Sequence, residues 1–222
     1  MGLYARLALK QSCVLCHSSA DFCLCPRCEQ QLTDHHRRCQ CCALKLDSTL
    51  DFCAHCLTKA PEFSRVYALY DYNPTCAQLI KQFKFNHQLC IGRYFAEHLA
   101  TRFAQINQHY DAIIPMPLNP TRLKQRGYNQ GLELLRVIKR QNVVIDTQCV
   151  QRTKPTQSLS LLSANKRRAE IKGAFSARPV AYQTVLLLDD VMTTGASLNE
   201  LAKTLKQQGG VKRCDALVVA RA

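Results

Sequence analysis

The chain has 222 residues, of which 47% are hydrophobic and 21% are charged, and this composition excludes a wholly disordered protein. No run of about 18 apolar residues is present, so we expect no membrane span. Residues 1–13 lack the apolar core of a signal peptide, so we expect a cytoplasmic protein. The formal net charge is +14, and residues 63–222 carry most of it, with 23 Lys and Arg against 10 Asp and Glu. That region is therefore expected to attract polyanions or phosphorylated ligands.

Ten of the fourteen cysteines lie between residues 13 and 56. In a reducing compartment, such clustering indicates metal before disulfides. Four Cys-x2-Cys pairs form two similar halves, and the spacing lets two pairs complete a tetrahedron of thiolates around Zn2+. Because neither half has apolar residues for its own core, metal binding would supply the folding free energy. We predict structural zinc in a double zinc ribbon over residues 1–62, held by Cys13, Cys16, Cys25, Cys28, Cys39, Cys42, Cys53 and Cys56.

The spacing leaves the number of zinc ions and the pairing of their ligands open. Cys23 is an alternative to Cys25, Cys41 is an alternative to Cys42, and pairs of the two halves can interleave. Redox thiols and an iron–sulfur cluster are the competing interpretations. A redox Cys-x2-Cys normally opens a helix in a βαβ context, and the sequence around these pairs does not have that pattern. The histidines of this region are expected at the surface, because four-cysteine sets suffice: His17, His35, His36 and His55.

Residues 63–222 alternate between strand-like and helix-like segments, which predicts an α/β domain with a mainly parallel sheet. Apolar or alternating runs predict strands, and apolar residues at helical spacing predict helices. A polar, basic stretch without periodicity predicts a long loop over residues 151–174. The strands are expected at residues 66–72, 111–115, 142–145, 185–188 and 216–220, and the helices at residues 75–85, 91–103, 131–140 and 198–208.

The most informative segment is VLLLDDVMTTGAS at residues 185–197. Its four apolar residues predict a buried strand, followed by the carboxylates of Asp189 and Asp190 and by a turn that precedes a helix. A glycine in that turn permits positive φ, so that consecutive N–H groups face one anion beside the positive end of the helix. Carboxylates suit the hydroxyls of a ribose or a metal ion. We therefore predict a sugar-phosphate site, the competing interpretation being an ordinary N-cap before a helix.

Basic residues are concentrated in residues 122–178, which hold 13 Lys and Arg against 3 Asp and Glu. Three interpretations are open, namely binding of pyrophosphate, binding of a DNA backbone, and a solvated face. Lys81 and Lys84, one helical turn apart, face either the same site or solvent. The residues predicted to contact pyrophosphate or DNA are Arg122, Lys124, Arg126, Lys166, Arg167 and Arg168.

The segment at residues 185–197 closely resembles the signature of type I phosphoribosyltransferases, which bind phosphoribosyl pyrophosphate (PRPP). The resemblance implies that Asp189 and Asp190 hold the ribose 2′- and 3′-hydroxyls and that residues 193–197 wrap the 5′-phosphate. It also implies that the turn at residues 115–117 binds the pyrophosphate, with Mg2+ bridging its oxygens. The PRPP-binding residues implied are Asp189, Asp190, Val191, Met192, Thr193, Thr194, Gly195, Ala196 and Ser197.

Two further segments, residues 113–130 and 152–175, narrow the resemblance when they are taken with the cysteine-rich region. Together they look like the ComF family of competence proteins, which is associated with natural transformation. The resemblance covers nearly the whole chain, and RGYNQ at residues 126–130 is its most recognisable short motif. It implies a phosphoribosyltransferase-like domain over residues 63–222. Glu170 departs from the pattern, since relatives usually carry Asn there.

The resemblance implies a PRPP-binding, zinc-containing protein that acts in the uptake and processing of single-stranded DNA. Other competence proteins are expected to dock on the zinc-ribbon region. Catalysis, if it occurs, would displace pyrophosphate from C1 of PRPP, and no residue is assigned as the nucleophile. Two alternatives remain open, namely a nucleobase-salvage phosphoribosyltransferase and a PRPP-regulated DNA-binding adaptor without catalysis.

Overall fold

The computed structural model describes residues 11–32, 36–47, 49–118, 127–138, 143–154 and 164–222, with the backbone alone at residues 164, 165, 167 and 168. Its cysteine-rich region contains β1 (Gln11–Ser12), β2 (Ser19–Ala20), α1 (Pro26–Gln30) and α2 (Ala54–Thr58). The rest contains β3 (Arg65–Asp71), α3 (Pro74–Phe85), α4 (Leu89–Ala104), β4 (Ala112–Pro115), α5 (Gln130–Leu135), β5 (Val150–Arg152), α6 (Ala164–Ile171), β6 (Phe175–Ala177), β7 (Thr184–Met192), α7 (Ala196–Thr204) and β8 (Arg213–Arg221). A π-helical turn (Leu205–Gly209) continues α7.

A four-stranded sheet in the order β3-β8-β7-β4 organises the main body, and its neighbouring strands are all parallel. The α/β class predicted from the sequence is therefore confirmed, with the cysteine-rich region preceding the sheet. The pairing of β7 with β8 continues to the last residue of β7, where Met192 lies opposite Arg221. The carboxyl ends of neighbouring parallel strands lie at the same edge of a sheet. This register therefore places the polar residues that follow the apolar part of each strand close together at that edge.

Both faces of the sheet are buried, as expected for parallel strands. Leu186 and Leu188 join a core with α3, α4 and α5 on one face, whereas Val185 and Leu187 join a core with α7 on the other. The two halves of the cysteine-rich region divide between these cores. Residues of 13–32 pack into the first, and residues of 39–53 pack into the second. Each half therefore lies against a different face of the sheet.

The segment predicted as a long loop, residues 151–174, contains regular structure within its described part, so that prediction was wrong. Strands β5 and β6 pair antiparallel, with Gln151 opposite Ser176, and α6 follows the undescribed residues 155–163. Strands of three residues are too short for a visible alternation. Helix α6 reads ANKRRAEI and carries few apolar residues, among which Ile171 is buried, so helical periodicity is absent from the sequence.

Other boundaries shift from the prediction by a few residues. Strand β7 extends through the carboxylates to Met192, rather than ending before them. Helix α7 begins at Ala196 and so includes the end of the predicted turn. The predicted strand at residues 142–145 is represented by an isolated bridge between Ile113 and Ile145, and residue 142 lies outside the described ranges. No helix in those ranges combines the length and apolar character needed to cross a membrane.

The cysteine-rich region is bonded to the body at several points. The Val66 amide donates to the Cys41 carbonyl at 2.8 Å, and Arg38 pairs with Asp71 at 2.9 Å. On the other face, the Tyr94 hydroxyl donates to Glu29 at 2.8 Å. The division into domains at residues 1–62 and 63–222 remains a prediction, and these contacts show that the two parts pack directly on each other.

Candidate functional site

A cavity of about 750 Å³ opens at the carboxyl edge of the sheet. Its walls are the end of β7, the turn before α7, one face of α3, and residues 116–118 after β4. All nine residues that the sequence predicted for PRPP binding, residues 189–197, lie in these walls. The structure thus brings the predicted residues together around one space, while their role as ligand contacts remains a prediction.

Asp189 and Asp190 present adjacent carboxylates inside this cavity. Each carboxylate accepts a hydrogen bond from the following amide, at 2.9 Å for Asp189 and 2.7 Å for Asp190. Lys84 on α3 approaches Asp190, with 2.6 Å between Nζ and Oδ2. Burial raises the pKa of Asp189, and the neighbouring charge of Asp190 raises it further, whereas Lys84 opposes both effects. Asp189 therefore holds a proton more strongly than an exposed carboxylate does.

The turn between β7 and α7 is built around Gly195, whose φ of +74° lies in the left-handed region. Gly195 is the N-cap of α7, and its carbonyl accepts from the Asn199 amide at 2.8 Å. The Ala196 amide reaches the Thr194 hydroxyl at 3.3 Å. A side-chain carbon at residue 195 would lie 2.6 Å from Met192 Cε. The left-handed backbone favours glycine here, as the turn chemistry predicts, whereas the close contact is with the flexible end of the Met192 side chain.

Positive charge surrounds the carboxylate pair. Lys81 and Lys84 line the cavity from α3, and Arg152 lines it from β5. Arg152 was not predicted as a site residue, because β5 lies far from β7 in sequence and only the tertiary fold brings the two together. Met116 and Pro117, from the predicted pyrophosphate turn, also lie in the walls. These groups make the cavity suitable for a multiply charged anion beside a neutral diol.

The other predicted anion contacts do not fall in the described walls of the cavity. Arg122, Lys124 and Arg126 lie outside the described residues. Lys166 is exposed on α6, and Arg167 and Arg168 belong to the same helix, which is described there by its backbone. Helix α6 contacts α7 and therefore lies on the sheet face that carries the later cysteine-rich half.

The first four-cysteine group consists of Cys13, Cys16, Cys25 and Cys28, whose sulfur atoms all lie within 4.8 Å of one another. A hairpin of β1 and β2 carries the first pair, and the His17 amide donates to the Cys13 carbonyl at 2.9 Å. Cys25 is the N-cap of α1, so Cys25 and Cys28 share the first turn of that helix. A hairpin and a helix start thus supply two sulfurs each.

The second four-cysteine group repeats this arrangement with Cys39, Cys42, Cys53 and Cys56, again within 4.8 Å of one another. The Ala43 amide donates to the Cys39 carbonyl at 2.9 Å, and Cys53 is the N-cap of α2. His17 and Ala43 occupy equivalent positions after the first pairs, and both have positive φ, 61° and 55°. The internal repeat seen in the sequence is therefore also a structural repeat.

Both groups fit a tetrahedral metal ion. Zinc–sulfur bonds of about 2.3 Å place tetrahedral sulfurs about 3.8 Å apart, and the sulfur atoms are 3.5 Å apart in Cys16–Cys25 and 3.6 Å apart in Cys42–Cys53. Burial and neighbouring thiols raise the pKa of Cys28 to about 12 and that of Cys42 to about 11. A hydrogen bond with Ser18 lowers the pKa of Cys25 to about 6, and backbone hydrogen bonds that outweigh burial lower that of Cys39 to about 7. Each group thus holds thiols of both kinds, and a bound Zn2+ would favour the ionised form of all four.

The alternative ligands named from the sequence are not members of these groups. Cys23 and Cys41 are buried, but each described group is completed without them, by Cys25 and Cys42. Within the described residues, each group takes all its cysteines from one half, so pairs of the two halves do not interleave. Neither group contains a histidine. His17 and His36 are exposed, as expected, and His35 lies outside the described residues.

No family model matches the chain, but several curated proteins do. It is 34% identical to competence protein F of Haemophilus influenzae over 196 residues, which cover 84% of this chain and 85% of that protein. It is 32% identical to DNA utilization protein YhgH of Escherichia coli O157:H7 over 206 residues, covering 89% and 85%. Competence protein ComFC of Streptococcus pneumoniae is 24% identical over 155 residues, covering 64% and 62%.

Among solved structures, adenine phosphoribosyltransferase of Leishmania tarentolae overlaps 73% of this chain and 77% of its own, with 13% identity and a TM-score of 0.35. An overlap of that quality bears on neither fold nor function. The identity to competence protein F and to YhgH extends over both the cysteine-rich region and the sheet. The chain therefore belongs to the ComF family, in which competence protein F and DNA utilization protein YhgH are its relatives.

Proposed function

We propose that the cavity at the carboxyl edge of the sheet binds PRPP or a closely related phosphorylated ribose. The observation that carries this proposal is the shared wall formed by the Asp189–Asp190 pair and the turn at residues 193–197. A ribose phosphate has a neutral diol at one end and a phosphate at the other. Carboxylates accept from the diol, while the N–H groups of the turn and the start of α7 suit the phosphate.

The cations of the cavity extend this assignment from a ribose phosphate to PRPP. A pyrophosphate at C1 brings several negative charges, and Lys81, Lys84 and Arg152 are the described cations that line the same space. Lys84 then has two roles, as partner of Asp190 in the free protein and as part of the electrostatic surroundings of the bound anion. Mg2+ would bridge pyrophosphate oxygens when PRPP binds, so it belongs in any test.

The biological role that we propose is the handling of single-stranded DNA during its uptake or use. The names of the relatives, competence protein F and DNA utilization protein, motivate this role. The charge supports it, since 13 of the 30 Lys and Arg residues lie within residues 122–178. In this proposal the same protein binds both PRPP and DNA. The zinc ions keep the cysteine-rich region folded where it packs on the sheet.

Replacing Asp189 and Asp190 by Ala is expected to abolish most PRPP binding. Each charge-assisted hydrogen bond to a ribose hydroxyl is worth roughly 1.5–3 kcal/mol, so the double variant should bind at least about a hundredfold more weakly. Calorimetric titration of PRPP with Mg2+ into both proteins measures this. Asp51→Ala is the matched control, because Asp51 pairs with Arg37 at the exposed surface of the cysteine-rich region. Equal affinity in a folded double variant would contradict the proposal.

The raised pKa of Asp189 predicts that PRPP binding by the wild type depends on pH. Because Asp189 takes up a proton more readily than an exposed carboxylate, PRPP affinity of the wild type should fall as the pH drops below neutral. A raised carboxyl pKa also means that ionised Asp189 costs folding free energy at neutral pH. The double variant should therefore melt no lower than the wild type at neutral pH, which separates loss of binding from loss of fold.

Gly195→Val is expected to lower PRPP affinity by at least about tenfold, because the added side chain would meet Met192 and Phe63 and displace the turn whose N–H groups face the phosphate. Gly210→Val is its matched control, since Gly210 also has positive φ, +80°, and has nothing within 4 Å of the added carbon. Both variants bear the cost of a left-handed side chain, about 1–2 kcal/mol. Similar losses of PRPP affinity in the two variants would count against a role for the turn.

Purified protein is expected to contain about two zinc ions per chain, one for each set of four cysteines. Cys13→Ser and Cys53→Ser should each lower the zinc content to about one ion and unfold the half that loses its metal. Cys90→Ser should retain the full content, because Cys90 lies outside both groups. Elemental analysis measures the content. Finding no zinc, or finding iron with a visible chromophore, would contradict this prediction.

Single-stranded DNA is expected to bind with little sequence preference and with an affinity that falls steeply as salt rises. Reversing the charges of Lys166, Arg167 and Arg168 should weaken binding, as measured by fluorescence anisotropy at several salt concentrations. The control reverses three exposed arginines that lie outside residues 122–178, namely Arg27, Arg65 and Arg93. Equal weakening by both triple variants would show a general charge effect rather than a site on α6.

A further inference from the structure

Arg221, at the end of β8, is a nearly buried arginine that is 9% exposed. It lies opposite Met192 in the sheet register. Its Nη1 lies within hydrogen-bond distance of three carbonyl oxygens, those of Thr193 at 2.6 Å, of Met192 at 3.2 Å and of Ala222. Its Nε donates to the Cys42 carbonyl at 2.9 Å. One side chain therefore joins the start of the proposed phosphate turn to a metal-binding cysteine that precedes it by about 150 residues in the chain.

The bonds of Arg221 are geometrically demanding. A guanidinium is a rigid planar fork, so acceptors on two of its nitrogens are held at fixed relative positions. A desolvated guanidinium is costly unless its N–H groups have acceptors, so movement of the Cys42 carbonyl would leave Nε in need of a new partner. The position of the second four-cysteine group and the position of the turn are therefore coupled through this side chain.

Other residues of the second cysteine-rich half also lie close to the turn. A cavity of about 390 Å³ is lined both by Cys42 and Cys56 and by residues 194–196 of the turn. Phe63, at the end of the connection from this half, would lie 3.6 Å from a side-chain carbon at residue 195. Phe63 is buried in the same core as Cys39, Cys42 and Cys53. The turn thus has the PRPP cavity on one side and the second half on the other.

The first four-cysteine group makes its contacts elsewhere. Its half bonds to α4 through Glu29 and Tyr94 and to the start of α3 through Gln31, whose carbonyl accepts from Asn73 at 2.8 Å. These contacts belong to the opposite face of the sheet. The two groups resemble each other in sequence and in local geometry, but the second is the one that Arg221 connects to the turn.

We propose that Arg221 is a positioning residue through which the metal of the second four-cysteine group orders the phosphate turn. This rests on the proposed function of the turn. In a planar trans peptide, the carbonyl and the following N–H point in opposite directions. With the Thr193 carbonyl held on Arg221, the Thr194 N–H is directed to the far side of the turn, as an anion-binding donor must be. Metal in the second group then favours PRPP binding.

The test compares amide hydrogen exchange of the turn in zinc-loaded wild type with that in three variants. Arg221→Lys keeps a positive charge but cannot bond Cys42 and Thr193 with one fork. Cys56→Ser and Cys16→Ser each weaken one four-cysteine group at its most exposed cysteine. We expect exchange at residues 192–197 to rise at least about tenfold in Arg221→Lys and Cys56→Ser. In Cys16→Ser, the rise should be confined to residues 11–32.

Calorimetric titration of PRPP into the same proteins provides the second readout. Arg221→Lys should retain about two zinc ions and bind PRPP at least about tenfold more weakly. Arg213→Lys, at the opposite end of β8, is the control that should leave the affinity unchanged. An unchanged turn in Arg221→Lys, or equal loosening of the turn by Cys16→Ser and Cys56→Ser, would overturn the proposal. If the exchange pattern holds while wild type fails to bind PRPP, the coupling stands and the proposed ligand is wrong.

Discussion

The parallel pairing of β7 with β8 is the constraint on which the candidate site depends. Because the two strands stay in register to Met192 and Arg221, the carboxylate pair and the turn that follows it are held at one edge of the sheet. Helix α7 then begins directly after that turn, so its N-terminal amides are presented beside the carboxylates. A shorter β7, ending before Asp189, would leave the pair on a loop whose position the sheet does not control.

The two four-cysteine groups lie on opposite faces of this sheet. Each occupies a small region that has too few apolar residues to fold without a cross-link, so a metal would replace the missing core. Yet the halves are not equivalent in the folded chain. One covers α3 and α4, while the other lies against α7 and the turn. The same local unit has thus been placed where one copy supports the helices and the other adjoins the ligand cavity.

Charge in the cavity is balanced rather than uniform. A carboxylate pair that is partly buried costs folding free energy, and Lys84 offsets part of that cost by pairing with Asp190. Such an arrangement is typical of a binding site, where groups are held ready for a ligand at some cost to stability. The ribose hydroxyls would interact with the carboxylates and the phosphates with the cations, so one ligand can satisfy both kinds of charge.

The sequence by itself determined the α/β class, the repeated Cys-x2-Cys units and the strand–turn–helix at residues 185–197, because each depends on residues close together in the chain. Local spacing also singled out the eight cysteines, whereas their division into one group from each half was decided by the structure. The hairpin of β5 and β6 and the polar helix α6 were missed, since neither has a period that burial would impose. Only the tertiary structure decided that Arg152 and Lys84 share a cavity with Asp190 and that Arg221 bridges Cys42 and Thr193. Those contacts join segments that are far apart in sequence, and their geometry is set by the order of strands in the sheet.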